Sequence, residues 1–306
     1  MRKLKNILVG VDYSQPSIGA LREAARCAAW DSACLTALHV IDDEPLVEMQ
    51  DEVEIGEDSI IDHAQRRLGS HLEVILGEDP GVYFDAVIGN PIEQFLLAAE
   101  RACADLIVLG SHGRLSRRSS RIGVLAERCL RKARQNVLLV RDAEGSPFRR
   151  VVACIDFSPT SRKAAKQAIH VAQQDGSSLE FIHVFRPAAE ILTAPSIEAG
   201  ILFPPVENFD DLRGAALESK LERFVAPLLD EFGSVEHTIS IIADPSPRAG
   251  IVDRLNESKA DLVVLGTRGR TTLKSLLMGS TAQKVLHTTN CSALVVKPDG
   301  FEYTLD

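Results

Sequence analysis

Long apolar runs, zinc-type cysteine spacing, aromatic residues and net positive charge are all scarce in this 306-residue chain. No apolar stretch approaches the roughly 20 residues that a membrane helix needs, so no membrane span is expected. Six cysteines, at positions 27, 34, 103, 129, 154 and 291, stand far apart and mostly inside apolar-patterned segments. With no C-x-x-C and no His/Cys cluster, they read as buried reduced thiols of a cytoplasmic protein and not as a structural metal site. The basic start, Met1 to Lys5, leads into an apolar run of only a few residues that breaks at Asp12; it reads as a first strand and not as a signal peptide. Two phosphate signatures are missing as well. There is no G-x-x-x-x-G-K-[ST] and no G-x-G-x-x-G after the first strand, which sets aside P-loop NTPases and the dinucleotide fingerprint. Lys and Arg number 34 against 43 Asp and Glu, and the resulting net charge of −9 argues against nucleic acid as a general partner.

What is present is a repetition. Ala104-Asp105-Leu106-Ile107-Val108-Leu109-Gly110 returns 156 residues later as Ala260-Asp261-Leu262-Val263-Val264-Leu265-Gly266. The same glycine spacing follows each copy: Gly110, Gly113 and Gly123, then Gly266, Gly269 and Gly279. The length suits two domains of about 150 residues each, and the composition, 45% apolar and 25% charged, is that of an ordinary globular protein.

Strands and helices alternate in both halves. Asn6 to Val11 is a continuous apolar run, as in a strand buried on both faces, and Ser14 with Pro16 starts a helix. Cys34 to Val40 is a second strand. A helix from about Ser59 carries Ile61, Ala64, Leu68, Leu72 and Ile75 on one face. Gly81 to Ile88, Asp105 to Leu109 and Asn136 to Val140 complete five strands, with helices opening at Pro91 and Gly123. In the second half Arg150 to Ile155 leads to Asp156, and Ser158-Pro159 is a strong helix start. His183-Val184 repeats His39-Val40 at an offset of 144, so about 12 extra residues enter the second half, within the Pro-rich apolar connector from Phe185 to Asp211. The fold class expected is α/β: two tandem doubly wound domains, 1–142 and 149–306, each a five-stranded parallel sheet with helices on both faces. In such sheets ligands bind beyond the carboxyl ends of the strands, where Asp12, Asp156 and the glycine loops emerge.

In the second loop, Gly266 and Gly269 let the backbone turn sharply and approach a ligand. Gly279-Ser280 opens a helix whose N–H groups and dipole attract phosphate. Ser280 with Gln283 also fits a capping box, under which the serine does no more than cap its helix. The G-x2-G-x9-G-S spacing, on a domain whose first strand ends in Asp and whose second ends in His-Val, resembles the universal stress protein family. The closing Leu294-Val295-Val296-Lys297-Pro298 is typical of it too, and the likeness covers nearly the whole chain as two copies.

The resemblance implies an adenine nucleotide alpha hydrolase-like fold and ATP, with Mg2+ as its companion. Asp156 and the backbone of Val184 would face the nucleoside, Leu265 and Gly266 would flank it, and Gly269, Gly279, Ser280 and Thr281 would hold phosphates. Ala282 departs from members that carry a hydroxyl there. It also implies that Asn136 to Val140 and Ser292 to Val296 lie antiparallel, as paired domains of the family do.

The matching first site, Asp12, Val40, Gly110, Gly113, Gly123 and Val124, is degenerate because Val124 replaces the serine. Its loop holds four arginines, Arg114, Arg117, Arg118 and Arg121, while the span from Asp42 to Asp62 holds ten acids and no Lys or Arg. That connector is expected to fold over the first site and pair with the arginines; the bland reading is two solvated faces. No carboxylate pair or Ser-His-Asp order marks a catalytic apparatus.

The function expected is a cytoplasmic stress-response protein that binds ATP in its C-terminal domain without efficient hydrolysis. The alternatives are a pseudo-dimeric protein-interaction or small-ligand module, and a slow ATPase. Protein partners are unnamed by the sequence, and a second copy of the chain is one candidate.

Overall fold

A computed structural model of the chain describes residues 3–43, 56–113, 122–141, 144–188, 208–233, 235–267 and 278–301. The described elements of the first repeat are β1 (Asn6–Gly10), α1 (Gln15–Asp31), β2 (Cys34–Ile41), α2 (Glu57–Leu76), β3 (Tyr83–Ile88), α3 (Pro91–Arg101), β4 (Leu106–Gly110), α4 (Val124–Lys132) and β5 (Asn136–Val140). The second repeat follows with β6 (Arg150–Cys154), α5 (Pro159–Asp175), β7 (Ser178–Phe185), α6 (Phe209–Phe232), β8 (His237–Ala243), α7 (Pro247–Glu257), β9 (Leu262–Gly266), α8 (Ser280–Thr288) and β10 (Ser292–Val296).

The chain divides into two compact units: Arg2–Ser146 with Ser292–Asp306, and Pro147–Cys291 with Met1. In the first, β1 to β5 are parallel in the order β3-β2-β1-β4-β5. The strand β10 then adds to β5, antiparallel, with Leu294 opposite Leu138. The second unit keeps four parallel strands in the order β9-β6-β7-β8. Sequence order places five strands in each domain; by contacts, the fifth strand of the second repeat lies with the first unit. It covers an edge that β5 would otherwise leave with unpaired N–H and C=O groups. Arg141 N donates to Ser292 Oγ at 3.1 Å and Lys297 N to Asn136 Oδ1 at 3.0 Å, fixing both ends of the pairing. The Lys297 amine is buried and donates to the carbonyl of Leu130 in the last turn of α4, at 2.5 Å, where the helix dipole favours a cation.

Local chemistry explains the helix starts. Ser14 and Ser158 are N-caps whose side chains accept from Ser17 N and Ser161 N, each with proline in the first turn. Their helices end at left-handed residues, Ser32 and Gly176. In the first unit α1 and α2 pack on one face of the sheet and α3 and α4 on the other; in the second, α5 and α6 pair, as do α7 and α8. With both faces covered, strands such as Leu106–Gly110 and Leu262–Gly266 are apolar throughout and almost wholly buried. Among the described residues no helix is long and apolar enough to cross a membrane.

Candidate functional site

A doubly wound sheet has a crevice where neighbouring strands send their chains to opposite faces. In the second unit that point lies between β6 and β9, paired through Val151 and Leu262 and through Ala153 and Val264. In the first it lies between β1 and β4, paired through Ile7 and Leu106 and through Val9 and Val108. Asp156 follows β6 and Gly266 ends β9; Asp12 follows β1 and Gly110 ends β4.

Both acids are fixed by a local turn. Asp156 Oδ1 accepts the Ser158 N–H at 2.9 Å. Asp12 Oδ1 accepts the N–H of Ser14 at 3.0 Å and its hydroxyl at 2.5 Å. The residue after each acid, Phe157 or Tyr13, sits at φ 63°, a left-handed conformation rare for a bulky side chain. Packing holds it there. The Phe157 ring lies 4.6 Å from His183 and 5.6 Å from Phe224, with the Lys220 amine 4.3 Å from its centroid. The Tyr13 ring lies 4.7 Å from His39 and 5.0 Å from His71, with the Arg67 guanidinium at 4.2 Å. His183 Nδ1 meets the carbonyl of Ile155, and His39 Nδ1 that of Val11, both at 2.7 Å. A carbonyl only accepts, so Nδ1 carries the proton in both, and the two histidines brace the loops after β6 and β1. Burial first, and then the Arg67 charge, hold the His71 imidazole below its ordinary range.

The glycines have distinct reasons. A Cβ on Gly266 would lie 2.8 Å from Thr160 Cγ2, and one on Gly110 would lie 2.6 Å from the carbonyl carbon of Pro16. Both strand ends therefore press against the first turn of α5 or α1. Close helix approach is a reason for the missing side chain at Gly266, beside the ligand approach that the spacing suggests. A Cβ on Gly113 would fall 2.5 Å from Asp12 Oδ2, and one on Gly123 would fall 3.4 Å from Gly113 N. Asp12, Gly113 and Gly123 thus form one continuous corner. Gly269, the counterpart of Gly113, lies outside the described residues, as do the arginine loop at 114–121, most of the acidic connector, at 44–55, and most of the apolar connector, at 189–207.

The same clasp closes both rims. Gly279 N donates to Thr267 O, and Gly123 N to Ser111 O, each at 2.7 Å, drawing the start of α8 or α4 beside the end of β9 or β4. Gly279 and Gly123 are the N-caps, and neither has a side-chain cap. The expected Ser280–Gln283 capping box is not formed: Gln283 N bonds to Gly279 O at 3.0 Å, and Ser280 is the first helical residue, exposed at the rim. Thr281 follows, half-buried, and Ala282 is buried. Val124 occupies the Ser280 position of the first rim and is 70% exposed. Leu265 is buried beneath its rim. Val184 turns its side chain toward α7, with Cγ1 3.0 Å from where a Cβ on Gly250 would stand. Val40 holds the matching position on β2, opposite Val87.

Each repeat also matches, separately, the profile of the universal stress protein family, at residues 3–141 and 147–297. The chain belongs to the universal stress protein family. A universal stress protein of Mycolicibacterium smegmatis is 28% identical over 307 residues, spanning 95% of this chain and 97% of its own. Universal stress protein MJ0531 of Methanocaldococcus jannaschii is 30% identical over 162 residues, 52% of this chain and 87% of its own. A solved universal stress protein from Archaeoglobus fulgidus, 20% identical, superposes with a TM-score of 0.59 over 97% of this chain and 99% of that one, a likeness of fold.

The aromatic braces escape a motif reading. The signal for them is the repeated Asp-(Tyr/Phe)-Ser after each first strand, with Arg67 and His71, or Lys220 and Phe224, four residues apart on the helix that follows β2 or β7.

Proposed function

We propose that the second repeat of this universal stress protein binds ATP at the rim between β6 and β9, and that the first repeat has lost this capacity. The observation that carries the reading is the clasp of Gly279 onto Thr267, which sets an uncapped helix start and an exposed Ser280 beside the end of β9. First-turn N–H groups with no side-chain partner, at the positive end of a helix dipole, suit phosphate oxygens. The Ser280 hydroxyl adds a donor, and Thr281 and Gly269 complete the phosphate loop that the family likeness implies. Asp156, held through Oδ1 by Ser158 N, would take the ribose hydroxyls, with the backbone of Val184 toward the base and Leu265 and Gly266 beneath. At the first rim Val124 keeps the backbone N–H groups but offers a methyl surface where Ser280 offers a hydroxyl.

Among the described residues no group of three or more His, Cys, Asp or Glu is placed to hold a metal. Mg2+, which the family likeness implies as the companion of ATP, would arrive on the nucleotide's phosphates. The braced histidines donate Nδ1 to carbonyls, and binding without efficient turnover is the activity this rim supports. A cytoplasmic setting belongs to the same reading, with all six cysteines as thiols.

The test is to denature the purified protein and identify released nucleotide by mass spectrometry, comparing wild type, Gly279→Asp and Gly123→Asp. Adenine nucleotide is expected from wild type and Gly123→Asp and not from Gly279→Asp. Absence from all three, with no thermal shift at millimolar ATP, overturns the reading in favour of an interaction module. Phosphate release above background would make it a slow ATPase.

A further inference from the structure

The run Asp-x-Ser-Pro occurs twice in the second repeat, as Asp156-Phe157-Ser158-Pro159 after β6 and as Asp244-Pro245-Ser246-Pro247 after β8. Both copies fold into the same turn. Asp244 Oδ1 accepts the Ser246 N–H at 2.6 Å, as Asp156 Oδ1 accepts that of Ser158 at 2.9 Å, and each serine is the N-cap of the helix that follows, α7 or α5. Pro245 stiffens the second turn further by fixing its own φ. An ionised carboxylate has about four acceptor sites, so the turn aims Asp244 without exhausting it.

The two acids flank the end of β7, which lies between β6 and β8. The ladder from β6 stops at Cys154 and Ile182, two residues short of Val184, whereas β8 runs on beside β7 to Ala243 and Phe185. Asp244 N then donates to Phe185 O at 3.0 Å, holding the half-buried Asp244 at the carboxyl end of the sheet. Its Cβ lies 2.9 Å from where a Cβ on Gly250 would stand, and Val184 Cγ1 lies 3.0 Å from the same point, so the two side chains meet over the start of α7. With strands about 4.8 Å apart, acids on β6 and β8 are separated by about 10 Å, comparable to the span from the ribose hydroxyls of adenosine to its 6-amino group. The first repeat has no such second acid. Gly89 N makes the matching bond to Ile41 O at 3.0 Å, at φ 142°, and a Cβ there would fall 2.8 Å from Gln94 Nε2.

Resting on the ATP reading above, we propose that Asp244 selects the base, its carboxylate accepting a hydrogen bond from the 6-amino group of adenine. That amine carries two hydrogens, one for the backbone of Val184 and one for Asp244. A 6-oxo purine, guanine or hypoxanthine, sets a carbonyl oxygen against the carboxylate, two acceptors with no proton between them, and a site built to take a donor rejects such a ligand. Cytosine also carries an amine, but its single ring falls short of Asp244 when the ribose is held by Asp156.

The test is calorimetric titration of the full chain, freed of nucleotide, with ATP and with inosine triphosphate, which has a 6-oxo group in place of the amine. Wild type should bind ATP at least about tenfold more tightly, the worth of one charge-assisted hydrogen bond. In Asp244→Asn the amide oxygen can keep the bond from Ser246 N while the amide N–H2 replaces the second carboxylate oxygen. The preference should therefore fall by about tenfold or more, with ATP weakened and inosine triphosphate tightened. A ratio unchanged in Asp244→Asn, or equal weakening of both nucleotides, would leave Asp244 a turn residue and overturn the assignment. Binding of neither nucleotide by wild type would overturn the ATP reading itself, and this assignment with it.

Discussion

A single methyl group added at Gly110 or at Gly266 should have unequal effects, although the two glycines end equivalent strands. At Gly110 the new Cβ would sit 2.6 Å from the carbonyl carbon of Pro16 and 2.7 Å from its oxygen. Against an ordinary carbon contact of about 3.5 Å that is an overlap of about 0.9 Å, and the obstacle is the backbone of α1, which cannot rotate away. At Gly266 the nearest atom is Thr160 Cγ2 at 2.8 Å, the end of a side chain, with the Thr160 backbone carbon at 3.5 Å. Overpacking of this kind costs about 1–3 kcal/mol, and alanine returns about 0.4–1 kcal/mol by restricting the unfolded chain. The net loss should be about 2 kcal/mol for Gly110→Ala and under about 1 kcal/mol for Gly266→Ala. Native-state hydrogen exchange reads each unit separately: protection of the most stable amides of β4 should fall by about 30-fold, and of β9 by less than about fivefold. Adding Thr160→Ser to Gly266→Ala removes the obstructing methyl and should recover part of the loss as a measurable coupling. Unchanged protection in Gly110→Ala, or strict additivity of the Thr160 pair, would show that helix approach does not select glycine at these positions.

Thiol reactivity should follow burial: iodoacetamide at about pH 8 labels the exposed Cys34 and Cys103 first. Cys129, pushed up to about 12 by burial despite the opposing Lys297 charge, and Cys154, raised by burial and by Cys291, should react only after denaturation, as peptide mass spectrometry would report. His71 is held below its usual value in the folded chain, so its contribution is fully present above the unfolded pKa of about 6.5 and is lost as pH falls through the lower folded value. His71→Phe, which installs the residue of the second repeat, should flatten the acid limb of the urea midpoint against pH; an unchanged limb would exclude His71 as its source. Lys297→Met removes the bond to Leu130 O and should destabilise the first unit by about 1–3 kcal/mol, read as lost exchange protection in α4 and β5.

The alternation of elements was legible because buried parallel strands leave unbroken apolar runs and because Ser-Pro and Asn-Pro announce helix starts. Boundaries were less so. The run from Gly81 reads as strand, yet Gly81 takes a positive φ of 63° and pairing begins at Tyr83. At Ser280 the sequence could not choose between cap and first helical residue; the choice is made by a long-range bond from Gly279 N to Thr267 O. The helix contact at Gly266 is hidden for a similar cause, since the chain does not announce that Thr160, far off in sequence, packs against it. The antiparallel meeting of Asn136–Val140 with Ser292–Val296 was expected from the family likeness and is found. Asp244, by contrast, passed as one polar residue after a strand, because its meaning depends on Val184 and Phe185 arriving from the neighbouring strand.

The placement of β10 also bears on how the protein is made. Asn136–Val140 leaves the ribosome with one side of its backbone unpaired, and its partner Ser292–Val296 is synthesised about 150 residues later, roughly 8–30 s at ordinary elongation rates of about 5–20 residues per second. Throughout that interval the nascent first repeat has a bare edge and an α4 whose last turn awaits Lys297. The second repeat must be translated before the first can finish folding, so the order of synthesis and the order of completion are reversed.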